Sequence, residues 1–152
     1  MPVVRIYIPV GGHDLEVLSG TGVLEAGPDA SRAAFAVTDA LVARAPGVDI
    51  EDLEYAAFTD AVAAAAKARS RRTDRRVVAS ADADPDWVSS GGDGASSAVE
   101  LVASVPVSRI ASFHIDEHAG ADADGGAVAD RADELLWYDV TELEDVRSLV
   151  SE

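Results

Sequence analysis

The segment that most restricts this fold is residues 49–70, DIEDLEYAAFTDAVAAAAKARS, which reads as one long helix. Ala, the best helix former, fills most of residues 56–68. Asp49 can cap the first turn, and Glu51 and Asp52 lie where the helix dipole favours negative charge. Lys67, Arg69, Arg71 and Arg72 lie at the end where it favours positive charge. At the helical period, Asp52, Ala56, Thr59, Ala63 and Lys67 share a solvent side with Asp60 beside it, while Tyr55, Phe58, Ala61, Val62 and Ala65 fall opposite. A buried side made mostly of Ala lets another layer approach closely, as a sheet does. Glu54 is the anomaly, because it projects from the middle of that apolar side, where an unpaired carboxylate is costly. Its expected role is an ion pair or hydrogen bond with Arg5, Arg32 or Arg75. The alternative is a catalytic carboxylate of raised pKa at the edge of a cleft.

The rest of the chain supplies that sheet. Residues 3–8 alternate, with Val4, Ile6 and Ile8 on one face and Val3, Arg5 and Tyr7 on the other, and Pro9 with Gly11-Gly12 ends the strand. A short helix and a turn follow in residues 13–24, then a loop at residues 27–31. Residues 32–37 read as a second strand, and Thr38 caps a short helix, residues 39–45, which Pro46 and Gly47 terminate. Residues 75–82, 99–105, 110–117 and 134–140 read as further strands, and Thr141 with Glu144 forms a capping box for a terminal helix. Two Gly-rich stretches, near residues 84–97 and 119–126, read as flexible loops, with one helical turn at residues 128–132. This alternation predicts one α/β domain over residues 1–152, a mixed five- or six-stranded sheet with the long Ala-rich helix packed on it.

Composition narrows the chemistry. No Cys is present, which removes disulfides, thiolate nucleophiles and cysteine-based metal sites, so any reaction must use carboxylates, three His, hydroxyls or Arg. The net charge of −16 repels phosphate at long range and disfavours nucleic acid and anionic membrane, while it suits solubility or a basic partner. No apolar run approaches the length of a membrane span, and MPVVRIYIPV lacks the features of a secretory signal, so a cytoplasmic location is expected.

Three constellations are candidates for a site. His114, Asp116 and His118 lie at strand spacing, and two His with one carboxylate can bind a divalent metal with open positions. The competing account is a solvated polar strand face. Residues 67–76 hold six of the twelve basic residues, and Arg71, Arg72, Arg75 and Arg76 could grip a phosphate, an acidic partner or RNA. Helix-end compensation explains the same charges, and no aromatic residue is interleaved for stacking. Asp82, Asp84 and Asp86 repeat like the first ligands of a calcium loop, but Trp87 stands where that loop needs Gly. Gly11-Gly12 is the nearest approach to a phosphate-binding turn and reads as a plain turn. There is no G-x-S-x-G, no P-loop and no G-x-G-x-x-G after a strand.

The run RIYIP, AFAVTDAL, DLEYAA, RRVVASAD, VPVSRIASFHIDE and ELLWYDVTEL resembles a family of short, uncharacterised actinobacterial proteins along nearly the whole chain. That resemblance implies a cytoplasmic bacterial protein and supplies no activity. With no catalytic set converging, the expectation is a non-catalytic binding or protein-interaction protein. It would recognise a protein partner or a second copy through a sheet edge or the Ala-rich helix, with Tyr7, Tyr55, Trp137 and Tyr138 lining a surface or a core. A cofactor is not expected beyond a possible divalent metal. The alternatives are a small metal-assisted or acid/base hydrolase using His114, Asp116, His118 and Glu54, and phosphate or RNA binding through residues 69–76.

Overall fold

The computed structural model describes residues 3–68, 74–90, 95–116 and 135–151. Its centre is a sheet of seven strands in the order β5-β6-β3-β1-β4-β8-β9, with every neighbouring pair antiparallel. In chain order the central strands are β1 (Val4–Pro9), β3 (Arg32–Ala36) and β4 (Val77–Ala83). β5 (Val88–Ser90) and β6 (Ala98–Leu101) extend the sheet on one side, and β8 (Ile110–Ile115) and β9 (Leu136–Asp139) on the other. A small second sheet pairs β2 (Val23–Leu24) with β7 (Val105–Pro106).

The sheet is antiparallel rather than mixed because β1 is inserted between the strands that the long helix α3 (Ile50–Ala68) connects. That helix and the short α2 (Asp39–Arg44) connect β3 to β4, a link that ordinarily joins adjacent parallel strands. Here β1 lies between the two and runs antiparallel to both. The result is a split β-α-β unit with α3 packed over β3, β1 and β4. The helix buries Ala57, Ala61, Val62 and Ala65 against Tyr7, Phe35 and Val78. Tyr55, expected on the buried side, is 50% exposed instead.

The opposite face of the sheet carries the larger core. The expected alternation of β1 holds there, with Ile6 and Ile8 fully buried beside Phe113 and Ile115 of β8. Each such side chain contributes roughly 1.5–3 kcal/mol of transfer free energy. Two helices cover this face, α1 (Gly12–Thr21) with Leu15 and Leu18, and α4 (Leu143–Ser151) with Val146. Gly22 ends α1 in the left-handed region at φ 78°, its N–H donating to the Leu18 carbonyl at 2.8 Å. Gly12 has a different reason, since a Cβ there would come within 3.2 Å of Val150 of α4.

Local signals place most of these elements. Thr38 caps α2 by accepting the Leu41 N–H at 3.0 Å and also donates to the Ser96 carbonyl. A Thr38→Ala protein is therefore expected to lose about 1–2 kcal/mol in urea denaturation, since it gives up both a cap and a tether to the strand region. The capping box near the end of the chain sits two residues earlier than Thr141–Glu144. Asp139 accepts the Thr141 N–H and Glu142 accepts the Asp139 N–H, each at 3.0 Å, around the 3-10 turn Val140–Glu142 that leads into α4. Glu144 is thereby released to accept from Ser19 at 2.7 Å and pair with Arg147 at 2.6 Å, tying α4 to α1.

Two stretches differ from their sequence reading. Within residues 84–97, Pro85–Trp87 forms a 3-10 turn and Val88–Ser90 becomes the edge strand β5, paired with β6. Trp87 anchors this turn, with its carbonyl accepting the Val102 N–H at 2.7 Å and the Arg109 guanidinium 4.8 Å from its ring centre. The expected strand over residues 99–105 divides after Leu101, so that Val105 joins the second sheet opposite Leu24. The loop near residues 119–126 and the helical turn at residues 128–132 lie outside the described residues.

Candidate functional site

The sheet face shared with α3 carries an aromatic and polar cluster where the helix stops covering it. Strand alternation puts Arg5 and Tyr7 of β1, Ser80 and Asp82 of β4, Ser112 and His114 of β8, and Trp137 of β9 on this side. α3 reaches the cluster through Phe58, whose ring meets Tyr7 edge-on at 5.7 Å and His114 at 4.8 Å. Tyr55, one turn back, lies 6.4 Å from Phe58. Trp137 is the direct cross-strand partner of His114 and is 63% exposed on the last strand of the sheet. Tyr138, by the same alternation, packs on the opposite core with Leu136.

His114 holds no charge in this setting. Burial, assisted by the nearby charge of Arg5, pushes its pKa down to about 4. Its Nε2 lies 3.1 Å from both the Ser80 and the Ser112 hydroxyl oxygens. A Ser beside a neutral His suggests nucleophilic catalysis, but Ser80 and Ser112 are themselves buried. Among the described residues no carboxylate orients the His114 ring, so the arrangement lacks the third member such chemistry uses. The hydroxyls instead satisfy a half-buried imidazole. Of the solvated polar face expected along His114, Asp116 and His118, Asp116 is buried and His114 half-buried.

Asp116 is committed elsewhere. Its carboxylate accepts the Arg76 backbone N–H at 2.7 Å, Nε at 2.9 Å and Nη2 at 2.6 Å, with both side chains almost wholly buried. This corrects the expected binding patch at Arg76, whose side chain points into the protein. Arg75 donates to the Leu149 carbonyl at the end of α4. Arg71, Arg72 and His118 lie outside the described residues, and among the described residues no three metal-ligating side chains converge.

Glu54 faces the sheet beside Arg5 and Tyr7, as its place on the helix requires. Arg5 Nε bonds Asp82 at 2.8 Å, and the Glu54 charge adds to that of Asp82 in raising the Arg5 pKa. Burial, then the Glu54 carboxylate, pushes the Tyr7 pKa up to about 12. Glu54 thus acts on one of the three Arg expected as its partner, while the bond itself goes to Asp82.

A cleft of about 420 Å³ opens at the end of β1, walled by Gly11, Asp14, Arg32, Ala65 of α3, Arg75 and Val150 of α4. Its charges already answer one another. Arg32 grips Asp14 through both terminal nitrogens at 3.1 and 2.8 Å, and Asp14 accepts the Gly11 N–H at 2.9 Å. Burial works to raise the Asp14 pKa, but Arg32 and the Gly11 N–H prevail and hold it below the usual carboxylate range. These bonds fasten α1 to β3, and the Arg75 bond to Leu149 fastens α4 to the start of β4. The cleft is accordingly a structural seam, and the aromatic face is where side chains are left without a covering layer.

Fold and site together define a three-layer α/β protein with an antiparallel sheet and no assembled catalytic set among the described residues. The chain belongs to a family of unknown function, DUF6912, whose profile matches residues 4–146. No curated protein and no solved structure is detectably similar to it. Among the described residues no helix is long and apolar enough to cross a membrane.

Proposed function

We propose that this chain is a non-catalytic, cytoplasmic protein-interaction protein that docks its partner on the face between Tyr55 and Trp137. The observation that carries this reading is an exposed Trp on an edge strand, joined through His114 and Phe58 to an exposed Tyr. Exposed aromatic groups on a rigid scaffold are the usual anchors of interfaces, because they bury much area at little cost in conformational entropy. Both side chains are half or more exposed, so the fold should depend little on them. Trp137→Ala combined with Tyr55→Ala should leave the thermal transition within a few degrees of wild type and weaken capture of a stoichiometric partner at least tenfold. Native mass spectrometry of chelator-free protein reads the same samples for partner, self-association and metal. Undiminished partner binding by the double variant would refute the docking face. The competing metal-assisted reading draws no support from Asp116, whose oxygens are spent on Arg76.

A further inference from the structure

The chemistry around the docking face identifies the kind of partner, and the inference rests on the reading that this face docks one. Tyr55 is flanked on its own helix by Glu51 and Asp52, one turn earlier and exposed. Glu54 and Asp82 stand on the inner side beside Arg5. Two residues beyond Trp137 on the same side of β9 is Asp139, half-buried, its carboxylate accepting the Thr141 N–H and hydroxyl. The aromatic path from Tyr55 to Trp137 therefore runs through a rim of carboxylates on a chain that already carries −16. A second copy would bring two such rims together, which like-charge repulsion opposes.

Indole and phenol faces attract cations, and the protein already uses this contact internally, with Arg109 over Trp87 at 4.8 Å. Trp137 offers an equivalent ring to the outside. Its strand, β9, pairs with β8 on one edge only, and among the described residues no strand occupies the other. An open edge presents backbone N–H and C=O groups that an extended segment can take up, with alternate side chains falling on one face. We propose that the partner contributes an extended basic segment that pairs along β9 as an eighth strand, its Arg or Lys side chains stacking on Trp137 and meeting Asp139 and the α3 carboxylates.

The test uses the full chain carrying Trp87→Phe, so that Trp137 is the single indole, with a labelled alternating Arg-Thr dodecapeptide and its Glu-Thr counterpart as probes. The Arg-Thr peptide should shift Trp137 emission and bind more weakly as salt rises. Peptide anisotropy should show at least a tenfold loss with Trp137→Ala. A loss of a few fold is expected with Glu51→Gln and Asp52→Asn together, and little change when Glu25→Gln and Asp29→Asn remove the same charge far from the face. Absence of binding by the Arg-Thr peptide, equal binding of the Glu-Thr peptide, or an equal loss in the distant variant overturns the basic partner. A homodimer abolished by Trp137→Ala also overturns it, while leaving the docking face intact. Binding of the Arg-Thr peptide that ignores Trp137→Ala overturns the face itself.

Discussion

Asp116→Ala is expected to destabilise the protein by about 3–5 kcal/mol, the cost of leaving a buried charge without its partner. The Arg76 and Asp116 side chains are 2% and 5% exposed, and the carboxylate takes both the guanidinium fork and the Arg76 backbone N–H. Removing the carboxylate strands a guanidinium in the interior and a backbone donor with it. Arg76→Ala should cost a similar amount from the other side. The same pair joins β4 to β8 where the Asp116 N–H reaches the Arg76 carbonyl at 3.2 Å, so its loss should also loosen the edge that carries Trp137. Urea denaturation at neutral pH measures the change. A loss under about 1 kcal/mol for either single variant would show that the charge finds water, and that the pair is not sealed as drawn. Replacing both residues with Met and Leu should recover most of the stability, because a buried pair is weakly favourable against a well-packed apolar pair.

The second large effect is expected on acidification. His114 titrates at about 4 in the folded protein and at about 6.5 when unfolded. Below pH ~6.5 the unfolded chain therefore binds a proton that the folded protein refuses, so stability falls as pH falls. The loss builds from about pH 6.5 to about pH 4 and reaches on the order of 3 kcal/mol once both states are protonated. The cause is burial against Phe58, where among the described residues two neutral hydroxyls and no anion face the ring. His114→Gln keeps a hydrogen-bonding group but cannot titrate, and its stability should be nearly flat over that interval. Asp14 does not confuse the result, because its lowered pKa places its loss below the ordinary carboxylate value. Chemical denaturation at pH 7, 5.5 and 4.5 separates the two proteins, and parallel curves would remove His114 as the cause.

Much of the local structure was legible because it is written in short-range patterns. The alternation of β1, the Thr38 cap before α2 and the two charged ends of α3 each depend on residues within a few positions of one another. Glu54 stood out for the same reason, as a carboxylate on an apolar stripe, and so did His114 on an alternating strand. The signals that failed were those that a nearby cue imitated. Thr141 with Glu144 has the spacing of a capping box, yet Asp139 with Glu142 has it too and occupies the end of β9. Gly and Ser around Trp87 spelled a loop, although three residues there find a strand partner in β6. Arg76 belonged by position to a basic run, while its side chain answers a carboxylate forty residues away.

The sequence by itself determined the α/β class, the place of α3, the faces of β1, and the exclusion of cysteine chemistry, since periodicity and composition are properties of the chain alone. Only the tertiary structure decided that β1 lies between β3 and β4, that Arg76 neutralises Asp116, and that Trp137 stands exposed beside a neutral His114. An alternating strand states which of its residues share a face. It carries no record of which strand will lie beside it, and that choice sets burial, ion pairing and exposure together.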